Sequence, residues 1–326
     1  MYPLKFKEIY HKKIWGGRDL GLIKENLPEG RIGESWEVAC HPKGTSIISN
    51  GEFRGMGLDQ LIKLKGEELI GTHIQKDSFP LLIKLINAKD KLSVQVHPND
   101  EYGKKTEGEM GKTEVWYVME AKEGANLIVG TKNISQKEEF QDAIENGGLD
   151  QYLNKVPVKK GDVIFIKSGL IHAIGEGVLI AEIQQNSDTT YRVYDYNRGR
   201  DIHINKALDV VDLNLKGEKS KGIRIYGDGY TKTYLCLGKD FSLELYDIED
   251  KFEENSDIER FYIFTCVDGQ GELIYKDGKD VIQRGESILI PASLGHYIFK
   301  GKLKVLKSYV PDINRVEREI LGEIER

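Results

Sequence analysis

Short apolar runs separated by glycine-bearing turns dominate this chain, and that pattern predicts antiparallel β-structure. Runs rich in Val, Ile, Leu, Phe and Tyr fall at residues 81–86, 92–96, 115–120, 127–130 and 163–166. Runs this short, with turn residues between them, characterise sandwiches and small barrels. Other stretches show helical spacing instead. Residues 58–71 carry apolar positions three and four apart and close on Gly71. Residues 135–153 open with Ser135 followed three positions on by Glu138, a capping-box pair, then run through Phe140, Ala143 and Ile144. Residues 204–213 read as a short linker helix.

The pattern occurs twice. Gly161 to His172 aligns without a gap on Gly285 to His296, keeping glycine, acid, apolar alternation and histidine at one spacing. Upstream, Glu114 to Tyr117 with Gly124 aligns on Glu259 to Tyr262 with Gly269, and Leu92 to His97 resembles Phe241 to Tyr246. Three paired blocks in one order predict two copies of one fold. The glycine–acid block that ends in histidine resembles a motif of cupins, where a strand turns and delivers a histidine into a small barrel. The expected fold is therefore mainly β, two cupin-like β-barrels (a bicupin) with short helical insertions in the N-terminal half. Residues 1–205 would form the catalytic cupin with insertions at 58–71 and 135–153. Residues 206–230 would be a linker helix, and 231–326 a second, degenerate cupin. The 135–153 segment lengthens the first copy relative to the second. An insertion beside a site often forms a lid or wall, and simple packing decoration is the other reading.

The candidate chemistry lies in the first copy. Gln95 and His97 stand at i and i+2, so in a strand both project from one face. Glu114 and His172 lie near the ends of other β-runs, and inward residues of neighbouring strands converge in a small barrel. Two imidazoles, a carboxylate and an amide oxygen suit zinc or a similar divalent ion, with coordination room left for a substrate. A neutral amide oxygen binds weakly, so Gln95 fits either a ligand or a group that orients one. In the second copy Tyr246 aligns with His97, beside Glu244, Glu259 and His296, and no metal is expected there.

Four charged residues accompany this set. Lys112 stands two positions before Glu114, on the same face of a regular strand, where it would bind phosphate or hydroxyls or act as a base. Lys84 lies on the preceding strand as a second cation, or else as a barrel-edge lysine. Arg192 follows Tyr191 in the stretch closing the first copy, and its guanidinium stays charged. Glu182 sits among apolar residues, a setting that raises a carboxylate toward general-base behaviour, against the plainer reading of an outward strand glutamate.

Composition narrows the classes. The 326 residues suffice for two domains. A net charge of −6 without a basic block disfavours nucleic acid as a partner, because phosphate neutralisation needs a concentrated cationic surface. No apolar run is long enough for a membrane span, and the N-terminal residues lack a signal-peptide core. Cys40, Cys236 and Cys266 are odd in number, widely spaced and form no CxxC pair, so idle thiols in a reduced cytoplasm are expected.

Several segments carry a family resemblance. They are Trp15-Gly16-Gly17, Gly33 to Glu37 with His41 to Gly44, Phe79 to Lys84, and Leu92 to Pro98. They continue through Gly111 to Trp116, His172-Ala173, and Tyr191 to Arg198. Together the chain resembles the type I phosphomannose isomerases, especially their short bacterial form, from about residue 10 to 205 and more loosely beyond. The resemblance implies interconversion of mannose 6-phosphate and fructose 6-phosphate through a metal-assisted cis-enediol. It implies one Zn2+ per chain at Gln95, His97, Glu114 and His172, and an essential Arg192. A sugar phosphate would be the partner, with no obligate protein partner. In this frame Lys84, Lys112 and Arg192 bind phosphate, while Arg192, Lys112 and Glu182 serve the chemistry. Lys112-Thr113-Glu114 departs from the Lys-Pro-Glu of longer members, and their extra helical domain has no counterpart. Competing readings are an isomerase of another sugar phosphate such as glucose 6-phosphate, a non-catalytic sugar-binding bicupin, and a metal-dependent dioxygenase. Three cations beside the ligands speak against the non-catalytic reading, and a dioxygenase usually has more histidines.

Overall fold

The computed structural model describes residues 1–76 and 78–325 and is mainly β. Val163–Ile166 is a strand as read, and Leu81–Ala88, Val94–Val96, Glu114–Ala121 and Asn126–Thr131 differ from the expected runs by one or two residues at their ends. The helices depart further. Gly66, at φ +50°, divides the 58–71 segment into Leu58–Lys65 and Glu67–Ile70. The 135–153 segment becomes Lys137–Glu145 followed by a 3-10 turn, Leu149–Tyr152. Its N-cap is Gln136 without a side-chain capping bond, so the Ser135–Glu138 box does not form. Ile204–Val210 is helical, but the 206–230 stretch is not one linker helix, since it also contains the strand Ile223–Gly227. Ile313–Ile324, inside the stretch expected to form the second cupin, is a helix capped by Asp312, whose carboxylate accepts from the Arg315 N–H at 3.1 Å. No described helix is long and apolar enough to cross a membrane.

The chain divides into two compact units, residues 1–9, 36–84 and 221–326 in one, and 10–35 and 85–220 in the other. Sequence order alone had grouped 1–9 and 36–84 with the N-terminal copy.

Within the 10–35 and 85–220 unit, one sheet runs Leu153–Pro157, Asn126–Thr131, His172–Ile174, Val94–Val96, Tyr191–Tyr194. A second includes Val163–Ile166, Glu114–Ala121 and Val178–Gln185, in that order. Trp116, Val118, Ile164 and Ile180 of the second sheet meet Leu127, Val129 and Ile174 of the first in one buried core. Each such side chain contributes roughly 1.5–3 kcal/mol when taken from water. Because strand side chains alternate, Val94 and Val96 face away from Gln95. They join Phe140, Ala143 and Leu149 of the insertion in a separate core. The insertion therefore covers the outer face of this sheet, and the lid reading is replaced by packing. Phe140 is fully buried, so Phe140→Ala should lower unfolding free energy by about 3–5 kcal/mol. Denaturant unfolding checks this; an unshifted transition would show that the insertion contributes no core.

Within the other unit, a sheet of ten strands runs from Ile223–Gly227 through Tyr230–Leu237, Ser242–Ile248, His296–Tyr309, Tyr262–Tyr275 and Ser287–Ile290 to Leu4–Lys7 and Ile47–Ile48. Lys251–Asn255 pairs with His296–Tyr309, and Gly278–Gln283 with Tyr262–Tyr275. Its core is strongly aromatic, with Tyr246, Phe264, Tyr297 and Phe299.

Strand register supports the repeat but corrects its residue matches. Gly161 and Gly285 both open their turns at φ near +90°, the left-handed region that favours glycine. In the first copy Glu114 pairs with Ile166 and Trp116 with Ile164 and Glu182, while His172 pairs with Gln95. In the second, Tyr262 pairs with Ile290 and Phe264 with Ile288 and Lys307, while His296 pairs with Asn255. Ile290 aligns with Ile166, so Tyr262 occupies the Glu114 position, three residues beyond the expected Glu259. Likewise Asn255, not Glu244, stands at the Gln95 position, and Lys307 at that of Glu182. A Glu-x-x-Tyr match in sequence carries less weight than a hydrogen-bonded ladder, since a register slip would turn buried faces outward.

Candidate metal centre

His97, Glu114 and His172 come together in one unit, all buried, with their candidate ligand atoms within 4.8 Å of one another. Among the described residues they form the only such group of His, Cys, Asp or Glu. Glu114 opens one strand, His172 opens another, and His97 follows Val94–Val96. His97 Nε2 and His172 Nε2 each lie 3.5 Å from a Glu114 oxygen and 3.1 Å from each other.

The protonation states suit a cation. Burial lowers both imidazoles, His97 to about 3, with Lys112 adding to the effect on His97, so both are neutral. Burial acts to raise Glu114, but Lys112 and then His97 overcome it and hold the carboxyl well below its usual range. His172 Nδ1 faces the Leu170 carbonyl at 2.8 Å, which fixes the proton there and turns the Nε2 lone pair inward. Both Glu114 oxygens are buried without a hydrogen bond, although Lys112 Nζ stands 2.9 Å from Oε2 outside hydrogen-bond geometry. Lys112 offsets part of the buried charge, while the two neutral imidazoles and the other carboxylate oxygen converge on one point as ligands would. The donor set therefore fits a divalent ion.

The other sequence candidates are placed as follows. Gln95 is half-buried with its amide nitrogen 3.3 Å from His172 Nε2; exchanging the amide N and O presents the oxygen instead. Lys112 is buried, with Nζ also 3.2 Å from His97 Nε2. Burial would discharge it, but Glu114 and Glu182 more than offset that and raise its pKa, so Lys112 stays protonated. Glu182 faces inward, buried, and accepts from the Trp116 indole N–H at 2.9 Å; the outward-facing reading fails. Arg192 is directly opposite Gln95, which is directly opposite His172, so the three side chains form one row on one face. Its guanidinium donates to Ser93 Oγ at 3.2 Å and to the Asp201 carbonyl at 2.7 Å and does not touch the triad. Lys84 belongs to the other unit's residues, where it is buried with Nζ 5.2 Å from the Trp36 ring.

Sequence reasoning missed the supports. Asp100 accepts from the Gly111 N–H at 2.9 Å and from Gln185 at 3.0 Å, and Gln185 in turn accepts from the Thr113 N–H at 2.9 Å. This network sets the backbone that carries Lys112 and Glu114. Gln184, directly opposite Glu114, is fully buried with an unpartnered amide oxygen. Adjacent amides closing a strand whose only other polar residue is Glu182 were the available signal. Trp15-Gly16 has a packing origin: a Cβ on Gly16 would lie 2.5 Å from the Gly33 nitrogen.

Comparison with known proteins places relatives along nearly the whole chain. Residues 3–133 match the family described as phosphomannose isomerase type I, catalytic domain, and residues 230–310 match mannose-6-phosphate isomerase, cupin domain. A mannose-6-phosphate isomerase of Bacillus subtilis is 35% identical over 315 residues, covering 94% of this chain and 99% of the relative. One from Streptococcus mutans is 36% identical over 316 residues, covering 94% and 98%. A crystal structure of the mannose 6-phosphate isomerase from Bacillus subtilis superposes with a TM-score of 0.89 at 33% identity, over 94% of this chain and 99% of that one. Likeness of this degree along nearly the whole of both chains cannot come from shared β-architecture alone, and the chain belongs to the type I phosphomannose isomerase family.

Proposed function

We propose that this chain interconverts D-mannose 6-phosphate and D-fructose 6-phosphate through a cis-enediol, with one zinc ion held by His97, Glu114 and His172 and completed by Gln95. The observation that carries the metal-assisted reading is the buried, convergent donor set of two neutral imidazoles and a carboxylate. When bound, such an ion polarises a carbonyl or hydroxyl oxygen of the substrate as a Lewis acid.

The remaining work falls to side chains. The reaction moves one proton between C1 and C2 and a second between the oxygens those carbons carry. Lys112 is held protonated and so suits a hydrogen-bond donor to a substrate oxygen better than a base. Glu182, inward-facing and anchored by Trp116, is the proposed proton carrier. Arg192 stabilises the oxygen of the developing enediolate, and its bonds to Ser93 and Asp201 support a preset orientation. Lys84 and Lys112 are the proposed phosphate cations. The units are read as two cupin barrels, and three cysteines that form no disulfide accord with a cytoplasmic setting.

A coupled assay of purified protein on mannose 6-phosphate tests the reading. Turnover should fall on treatment with chelator and return on adding Zn2+. Full turnover by protein verified to be metal-free would overturn the metal role, and preference for glucose 6-phosphate would overturn the substrate.

A further inference from the structure

The second copy also holds a cavity, of about 440 Å³, and it is furnished with polar groups. That volume falls within the ~300–1,000 Å³ of small-molecule sites. By strand register its lining includes the counterparts of the metal site, with Tyr262 at the Glu114 position, Lys307 at that of Glu182 and Asn255 at that of Gln95. The histidine at the His172 position, His296, is instead half-exposed, 3.7 Å from Glu253. The fold has kept the pocket and changed its chemistry.

Two side chains define its inner wall. Lys307 is 3% exposed, held by Glu254 at 2.6 Å and lying 3.8 Å from the centre of the Tyr262 ring. Tyr262 itself is 7% exposed, and among the described residues its hydroxyl has no hydrogen-bond partner. That hydroxyl is not among the fully buried polar atoms, so it opens onto the cavity, where a ligand hydroxyl can take the place of water. The charges indicate which kind. Each lining cation already has a carboxylate: Lys307 has Glu254, Lys232 has Glu244 at 3.5 Å, Arg260 has Asp257 at 3.1 Å, and Arg315 has Glu319 at 2.9 Å. A fifth carboxylate, Glu323, also lines the cavity. A phosphate, bringing ~1.5–2 further negative charges, would enter a surplus of acid. A molecule with hydroxyl donors and acceptors and no charge leaves that balance undisturbed.

We propose that this cavity is a second ligand site, which takes a neutral polyhydroxylated molecule, a free hexose or its polyol. It is independent of the isomerase reading, since none of its residues belongs to the metal centre.

Equilibrium dialysis of the metal-loaded full chain against radiolabelled D-mannose tests it. A saturating, pre-equilibrated mixture of mannose 6-phosphate and fructose 6-phosphate fills the first site throughout, and D-mannitol is run as the second probe. The expected result is saturable binding of one equivalent of the neutral sugar or polyol. Tyr262→Phe removes a single oxygen and should weaken binding about tenfold, and Lys232→Met should weaken it too. The kcat/KM for isomerisation should hold in both, which also reports that the variants fold. Absence of saturable binding by either probe would overturn the proposal. So would wild-type binding in both variants, or release of the probe as the sugar phosphate is raised further.

Discussion

Replacing His97 with alanine should remove the bound ion and the isomerase activity together while the protein stays folded. His97 supplies one of three buried donors, and its loss leaves Glu114 and His172 with only the half-buried Gln95 beside them. Two strong ligands rarely hold zinc at a site built for three or four. Disturbing a mere supporting contact of a metal ligand typically costs ~10–100-fold in affinity or activity, so deleting a ligand should cost more than about 10²-fold. Metal analysis and the coupled assay, run on protein whose unfolding transition is intact, decide the matter. Stoichiometric metal retained at the same centre by the variant would remove His97 from the ligand set.

Arg192→Ala should behave differently, losing kcat while keeping its metal. Arg192 lies on the row shared with Gln95 and His172, two strands from the histidine, or roughly 10 Å at the usual strand spacing. Its guanidinium donates to Ser93 and Asp201, so the substitution leaves the metal ligands untouched. If the guanidinium meets charge that develops only in the transition state, its loss should cost about 2.7–4 kcal/mol, or ~10²–10³ in kcat. Arg192→Lys should recover little, because a point charge does not reproduce the planar fork. A near-normal kcat with a raised KM would assign Arg192 to holding phosphate instead of to the chemistry.

Much of this molecule was legible without coordinates. His97, Glu114 and His172 announce themselves because few side chains bind metal, and the two-residue strand period already places Gln95 and His97 on one face. The β-runs were equally plain, since apolar length and closing glycines are local signals. The repeat was visible for the same reason, as Gly161 and Gly285 mark turns that favour glycine. Yet where local chemistry was ambiguous, sequence reading erred. Ser135 and Glu138 look like a capping box, but Gln136 caps the helix without a side-chain bond. The 135–153 insertion had the length of a lid, and only the burial of Phe140 against the sheet's outer face assigned it to packing.

What sequence alone determined was the inventory: two β copies, one metal-type donor set, and cations near it. Tertiary structure decided the partnerships. Register placed Tyr262, not Glu259, at the Glu114 position, because hydrogen bonds along a ladder outweigh a short identity. Burial beside Glu114 and Glu182 made Lys112 a standing charge, and the indole of Trp116 turned Glu182 inward. Each of these depends on which groups meet after the strands pair, and charge, desolvation and hydrogen bonding act through that proximity rather than through distance along the chain.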